Sequence, residues 1–223
     1  FKAGSCVSLF GRVQYNWFYT GYGSGGDVNR PYSVNLQDGI RNCDKLTLNE
    51  SLATEYENWC VEHPIEDAVW GMWPRFYPEM PIDIRDVFRA SNASDCAVVA
   101  IGRSSGEDRD CALEKGSWFL TDDERRLLDN VTDCFDKVAV VLNIGCMADL
   151  SWIEEYGNKI VFEFFDFVEI IGGNIIVRIA KKNKFSACRL KPRVSRGRCT
   201  AVAFVYKFNA IVLFAQPLAD FCA

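Results

Sequence analysis

A glutamate in a short charged loop is the residue of this sequence best suited to acid–base chemistry. Glu107 lies in the loop 102–110, directly after the apolar run Ala97–Ile101. Its charged neighbours in the loop are Arg103, Asp108, Arg109 and Asp110. The acidic neighbours would raise the pKa of Glu107 and the basic ones would lower it, and such opposed influences suit a general acid/base. The same composition also fits an ordinary solvated turn, so the loop alone leaves both interpretations open.

A second segment suited to ligand contact is the glycine-rich stretch 21–26, with the sequence Gly-Tyr-Gly-Ser-Gly-Gly. Its glycines permit backbone conformations closed to other residues, so this loop is able to approach a ligand closely. The spacing is not that of a dinucleotide-binding motif, and the lysine of a phosphate-binding P-loop is missing. A phosphate-binding role therefore has only weak support.

The composition excludes several other kinds of functional site. His63 is the one histidine, so a site with several histidine ligands is impossible, and its place in an aromatic loop favours a structural role. No two of the ten cysteines are spaced C-x-x-C, which excludes the zinc-ribbon and thioredoxin patterns. We expect reduced thiols in a cytoplasmic protein, with no metal and no cofactor.

The charge is distributed unevenly along the 223 residues. The net charge of −5 argues against a nucleic-acid partner, and no apolar run is long enough to span a membrane. Residues 1–160 carry −11 and residues 161–223 carry +6, with nine of the sixteen phenylalanines in the second part. The length fits one domain to one and a half, and the shift in charge predicts a boundary near residue 160.

The elements that position Glu107 are predicted from apolar periodicity. Residues 95–156 read as strand, charged loop, helix, strand, glycine loop and the start of a helix, and Thr121 with Glu124 forms a capping box at the first of these helices. Buried strands alternating with amphipathic helices predict a parallel sheet covered on both faces. Further elements are predicted at Cys6–Phe10 (strand) and at Tyr32–Ile40 and Asn49–Cys60 (helices). Because ligands bind outside the carboxyl ends of such strands, the loops 11–29, 102–110 and 145–149 are expected at one functional edge.

Several motifs occur in the order and spacing of a known family. The run from Ala97 to Trp152 holds a strand, a Ser-Gly-Glu loop with Asp-Arg after it, a Lys-Gly-Ser-Trp-Phe-Leu-Thr turn, a helix and a Val-Val-Leu-Asn-Ile-Gly strand ending. The opening FKAGSCVSLFGR and the segment GYGSGGDVN match further motifs. Residues 1–160 thereby resemble the C-terminal α/β sandwich domain of glycoside hydrolase family 3, whose best-known members are β-glucosidases. The resemblance implies a doubly wound, mostly parallel sheet sandwiched by helices.

The resemblance also implies a chemistry. In that family two carboxylates cleave a β-glycosidic bond with retention, and the match makes Glu107 the general acid/base. Asp108 and Arg109 match the family's loop and are expected to position Glu107. Tyr22 and Ser24 are expected beside the carbohydrate substrate, a β-glucoside or an oligosaccharide.

Two departures from the family pattern shape the expectation for this chain. The nucleophile of the family lies in a TIM-barrel domain in a Ser-Asp-Trp context, and these 223 residues contain no such triplet. We therefore expect this chain to be inactive without the barrel, and we expect the unmatched tail to leave the sandwich domain incomplete. Residues 161–223 carry none of the family's motifs and form an unmatched, basic and aromatic tail, which a shifted reading frame or a divergent gene would explain. Within it, 167–179 has the pattern of a hairpin around Gly172-Gly173-Asn174.

The sequence leaves two other functional hypotheses open. The chain also fits a non-catalytic α/β module that binds a carbohydrate or another small molecule, and a gene remnant without function. The aromatic loop 64–81 is ambiguous in the same way. Its bulky side chains suit either a wall on which a sugar stacks or simple packing, and they are Trp70, Trp73, Phe76 and Tyr77.

Overall fold

The computed structural model describes residues 2–24, 31–65, 70–109 and 111–161, together with four short strands beyond residue 167. The chain divides into two compact units, Phe1–Phe162 and Glu163–Ala223. The first unit contains the Glu107 loop.

A parallel five-stranded sheet forms the centre of the first unit. Its strands are β1 (Ser5–Phe10), β2 (Leu46–Leu48), β3 (Cys96–Arg103), β4 (Val138–Ile144) and β5 (Ile160–Val161). They lie in the order β2-β1-β3-β4-β5, and every neighbouring pair is parallel. The predicted α/β class is therefore confirmed. The order reverses direction between β1 and β3, which creates a topological switch point there.

Five helices connect the strands. They are α1 (Leu36–Arg41), α2 (Glu50–Glu62), α3 (Ile84–Ala93), α4 (Asp122–Cys134) and α5 (Ile153–Tyr156). Two 3-10 turns, Arg12–Gln14 and Gly157–Lys159, follow β1 and α5. The predicted helices over 32–40 and 49–60 correspond to α1 and α2, and Asn49 is the N-cap of α2. The helix predicted from 149 begins only at Ile153, and α3 and β2 have no counterpart in the sequence prediction.

The start of α4 shows the local chemistry that fixes a helix. The Thr121 side chain accepts a hydrogen bond from the Glu124 amide, and the Glu124 carboxylate accepts one from the Thr121 amide. Three acidic residues in the first turn also favour the positive end of the helix dipole. Leu127, Leu128 and Val131 then follow at helical spacing and are all buried. The predicted capping box and helix are confirmed.

Apolar side chains cover the sheet on both faces. One cluster packs alternate residues of β3 and β4 against α3 and α4, including Ala97, Val99, Ile101, Val138 and Val140. The other cluster joins Val7, Leu9 and Val98 to Leu48 and to α1. Because successive strand residues point to opposite faces, the continuous apolar runs supply both clusters at once.

The segment between α2 and α3 is held against the end of β1. The Glu79 carboxylate is buried and accepts hydrogen bonds from the Arg12 amide at 3.0 and 2.8 Å. The Arg12 guanidinium donates to the carbonyl of Pro78 at 3.1 Å and to that of His63. The His63 ring stacks on Trp59 with centroids 4.5 Å apart, so the contacts of His63 are structural, as the sequence indicates.

The second unit contains two antiparallel strand pairs. Strand β6 (Val168–Ile171) pairs with β7 (Asn174–Val177), and β8 (Ala201–Val205) pairs with β9 (Ile211–Ala215). Ile171 lies opposite Asn174, in agreement with the predicted hairpin, although Gly172 and Gly173 lie outside the described residues. Most of the tail 161–223 lies outside them too, so its predicted status as an unmatched or frame-shifted segment stays a prediction.

Candidate functional site

The candidate site lies at the carboxyl edge of the sheet, at the switch point between β1 and β3. The loop after β1 runs through residues 11–24 and the loop after β3 begins at Ser104. Their backbones are joined, because the Tyr22 amide donates to the Ser105 carbonyl at 2.7 Å and the Glu107 amide donates to the Tyr22 carbonyl at 3.0 Å. This pairing brings the two segments that the sequence singled out into direct contact.

Ser24 holds the carboxylate of Glu107. Its amide and its hydroxyl donate to the same oxygen, Oε2 of Glu107, at 2.9 and 2.8 Å. Both side chains are exposed. These two hydrogen bonds favour the ionised form and lower the pKa of Glu107 below its ordinary value, the backbone bond having the larger effect. Glu107 is therefore an accessible carboxylate whose ionised form is stabilised by Ser24.

Glycines on both loops allow this close approach. Gly23 has φ +108°, and a Cβ on it would lie 2.5 Å from Cβ of Glu107. A Cβ on Gly106 would lie 2.4 Å from Cδ1 of Trp73. A side chain at either position would displace the segment that carries Glu107, so space requires glycine at both positions and the backbone angle favours it at Gly23 as well.

Aromatic side chains pack against the loop that carries Glu107. Trp73 is buried, and its indole N–H donates to the Glu107 carbonyl at 3.0 Å. Tyr22 stacks on Trp73 with centroids 5.5 Å apart, and its hydroxyl lies 2.6 Å from that of Tyr77. Phe76 lies under Gly116, whereas Trp70 remains about half exposed beside Trp73. Trp73, Phe76 and Tyr77 thus pack beneath the site, and Trp70 has an exposed face.

Asp108 and Arg109 complete the turn after Glu107. Asp108 is exposed with φ +59°, a left-handed conformation that a short polar residue tolerates. The Arg109 amide donates to the Gly106 carbonyl at 3.3 Å, which closes the turn. The backbone of both residues shapes the loop, and their expected role in positioning the Glu107 side chain stays a prediction.

Arg103 does not act on Glu107 as the sequence suggested. Its guanidinium is buried and donates to both carboxylate oxygens of Glu124, at 2.6 and 2.8 Å. It also donates to the carbonyls of Ser117 and Phe119, each at 3.1 Å. The hydrogen bonds of Ser24 lower the pKa of Glu107, and Arg103 instead anchors the base of the loop to α4. The sequence placed Glu124 in a capping box and gave no sign of this second role.

Replacing Ser24 by alanine tests the electrostatics of this arrangement. The substitution removes the hydroxyl bond to Oε2 but keeps the backbone bond, so the pKa of Glu107 should rise toward its ordinary value. NMR titration of the Glu107 carboxyl carbon measures this directly. Ser51→Ala, which changes an exposed serine on α2, serves as the matched control and should leave the titration unchanged. An unshifted Glu107 titration in Ser24→Ala would show that the hydroxyl does not bind the carboxylate in solution.

Among the described residues, no group of three histidine, cysteine or carboxylate side chains is arranged to hold a metal ion. No described helix is both long and apolar enough to cross a membrane.

Known proteins match this chain over most of its length. A β-glucosidase of Ruminococcus albus is 38% identical over 156 residues, covering 70% of this chain and 16% of the relative. β-Glucosidase A of Butyrivibrio fibrisolvens is 28% identical and covers 69% of this chain and 21% of the relative. The chain thus spans about a fifth or less of the length of these curated relatives. No family model matches the chain.

Solved structures give the same result. A β-glucosidase of Paenibacillus barengoltzii superposes with a TM-score of 0.69 at 40% identity, covering 73% of this chain and 18% of that protein. β-Glucosidase 3B of Thermotoga neapolitana, in complex with glycerol, superposes with a TM-score of 0.60 at 29% identity, covering 72% and 23%. About 70% of the chain is therefore homologous with β-glucosidases and is consistent with a C-terminal domain fragment of glycoside hydrolase family 3.

Proposed function

We propose, from this homology with β-glucosidases, that the chain contributes the C-terminal α/β domain of a retaining β-glycosidase and that Glu107 is its general acid/base. The substrate is a β-glucoside or a related oligosaccharide. The observation that carries the proposal is the place of Glu107, an exposed carboxylate on two joined loops at the switch point of the sheet.

The proposed mechanism needs two carboxylates. In a retaining glycosidase their separation is about 5–5.5 Å, so that one attacks the anomeric carbon while the other protonates the leaving oxygen. Glu107 supplies the second role. In the first step it donates its proton to the glycosidic oxygen, and in the second step it removes a proton from the water that attacks the glycosyl intermediate.

Glu107 must change protonation state during this cycle. In this structure the two bonds from Ser24 favour the carboxylate, which suits the second step. For the first step the carboxyl has to be protonated, and a nearby second carboxylate and the exclusion of water both raise a pKa. We infer that the nucleophile and the bound sugar provide both effects, and that neither is supplied by this chain.

The remaining predicted residues take supporting roles in the proposal. Ser24 holds the carboxylate in the orientation in which it meets the glycosidic oxygen. Tyr22 is half-buried and stacks on Trp73, and sugar C–H faces pack against aromatic rings. Asp108 and Arg109 fix the turn that follows Glu107, so a misplaced turn would misplace the proton donor.

A chimera tests the proposal. The matching segment of the β-glucosidase of Paenibacillus barengoltzii is replaced by residues 2–161 of this chain, and hydrolysis of an aryl β-glucoside is measured. We expect the chimera to hydrolyse the substrate and this chain alone to be inactive. A folded chimera without activity would contradict the proposal. Sugar binding by the isolated chain, measured by calorimetry, combined with an inactive chimera would favour a non-catalytic binding module.

A further inference from the structure

Two cysteine thiols meet beside the loop that carries Glu107. Cys111 lies four residues after Glu107, and Cys146 lies in the loop that follows β4. The Cys111 thiol donates to the Met147 carbonyl at 3.4 Å. Met147 directly follows Cys146, so this bond holds the Cys111 thiol beside the segment that carries Cys146.

The backbone already holds the two thiols together. The Gly145 amide donates to the Arg103 carbonyl at 2.9 Å, and the Asp149 amide donates to the Trp118 carbonyl at 2.8 Å. These bonds attach the segment around Cys146 to the segments on either side of Cys111. Both thiols are half-buried and line one small cavity, whose wall also includes Arg75, Ser104, Arg109 and Ser117. A small oxidant can therefore reach them without opening the core.

A second pair of neighbouring cysteines provides a contrast. Cys6 and Cys96 lie on the adjacent strands β1 and β3, where Val7 is the register partner of Cys96. Side chains alternate along a strand, so Cys6 points to the face opposite Cys96. Two cysteines on neighbouring strands therefore need not face each other, whereas Cys111 and Cys146 line the same small cavity.

We propose that Cys111 and Cys146 are a redox modification site, which a peroxide converts into a reversible disulfide across the Glu107 loop. This proposal goes beyond the proposed glycosidase function and does not depend on it. The link would tie the Glu107 loop covalently to the loop after β4 and restrict its motion.

The chemistry divides into two balanced steps. In the first, the Cys111 sulfur attacks one oxygen of the peroxide, the O–O bond breaks, and the products are a sulfenic acid on Cys111 and one water. In the second, the Cys146 sulfur attacks the Cys111 sulfur and the S–O bond breaks. The leaving hydroxide takes the Cys146 proton and departs as water, and a thiol reductant reverses the link.

The environment of Cys146 agrees with this order. Burial, followed by the hydrogen bond with Cys111, raises the pKa of Cys146 to about 12. Cys146 therefore stays protonated at neutral pH and is not the thiol that peroxide oxidises first.

Peptide mapping of the full chain after peroxide treatment tests the proposal. We expect a cross-linked peptide containing Cys111 and Cys146, two hydrogen atoms lighter than the sum of the reduced peptides, which dithiothreitol separates. The variant Cys146→Ser should instead accumulate a sulfenic acid on Cys111, trapped by dimedone. Cys111→Ser should leave Cys146 unmodified, and Cys6→Ser, the matched control, should leave the cross-link yield unchanged.

The outcomes that overturn the proposal are equally distinct. Oxidation of Cys111 to the sulfinic acid in the unmodified chain, with Cys146 still a free thiol, would show that the two sulfurs do not react. A link from either cysteine to a different one, at comparable yield, would show that the contact does not direct the reaction. Glycosidase activity is not used in any of these measurements, so failure of the proposed function would leave the result unaffected.

Discussion

Glu107→Gln in the active chimera should lower kcat/KM for alkyl β-glucosides by about 10²–10⁴-fold, the usual contribution of a general acid/base. Glutamine keeps the size of the side chain and still accepts a hydrogen bond from Ser24, but it neither donates nor removes a proton. Substrates with very acidic leaving groups need little protonation, so their glycosylation step should be affected far less. Kinetics with leaving groups of graded pKa measure this difference.

Chemical rescue separates a catalytic defect from a structural one. With an activated substrate, Glu107→Gln should be limited by the second step, because no base activates water. Azide attacks without losing a proton, so it should restore turnover and yield a glucosyl azide. Glu154→Gln, which changes an exposed glutamate on α5, serves as the matched control and should keep full activity. Equal activity of Glu107→Gln on poor and good leaving groups would refute the assignment.

The sequence predicts those parts of the site that follow from local pattern. The apolar runs of β3 and β4 fix two parallel strands, and the rule for carboxyl edges then places the Glu107 loop beside the glycine-rich loop. The capping box at Thr121 is visible in four consecutive residues and is present as predicted. In these cases the signal and its consequence lie within a few residues of each other.

Two elements were missed for different reasons. Strand β2 has only three residues, too few for an alternation to be recognised. In α3, Ile84, Val87 and Phe88 follow the i, i+3, i+4 spacing of one helix face, and Asp83 is its N-cap. This helix therefore has a recognisable local pattern that the sequence prediction did not include.

Side-chain pairs that are distant in the chain also could not be predicted from the sequence. Ser24 and Glu107 are separated by 83 positions, and only the packing of the two loops makes one the hydrogen-bond donor of the other. Arg103 appeared in the sequence as a charge beside Glu107. The fold buries it, and a buried guanidinium takes the nearest carboxylate, which belongs to α4.

The largest loss of stability is expected where the Arg103–Glu124 pair is broken. Both side chains are nearly inaccessible, with exposed fractions of 2% and 7%. Glu124→Gln removes the negative charge and leaves a buried guanidinium without a counter-charge, which costs about 3–5 kcal/mol in comparable pairs. Urea unfolding of the full chain, followed by tryptophan fluorescence, measures the free energy of unfolding.

Two controls separate the ion pair from the other roles of Glu124. Thr121→Val removes the hydroxyl cap of α4 while keeping Glu124, so its expected cost is about 1 kcal/mol. Glu155→Gln removes the carboxylate of an exposed pair with Arg125, and such pairs contribute about 0–1 kcal/mol. A Glu124→Gln loss no greater than these two would mean that Arg103 is not held by charge.

The same pair connects stability to the site. Arg103 also donates to the Ser117 and Phe119 carbonyls, so it fixes the turn that closes the Glu107 loop. Arg103→Lys keeps the charge but lacks the planar fork that reaches the carboxylate and both carbonyls together. We therefore expect Arg103→Lys to lose stability and, in the chimera, to lower kcat as well. If its kcat were unchanged despite the lost stability, Arg103 would support the fold alone and not the placement of Glu107.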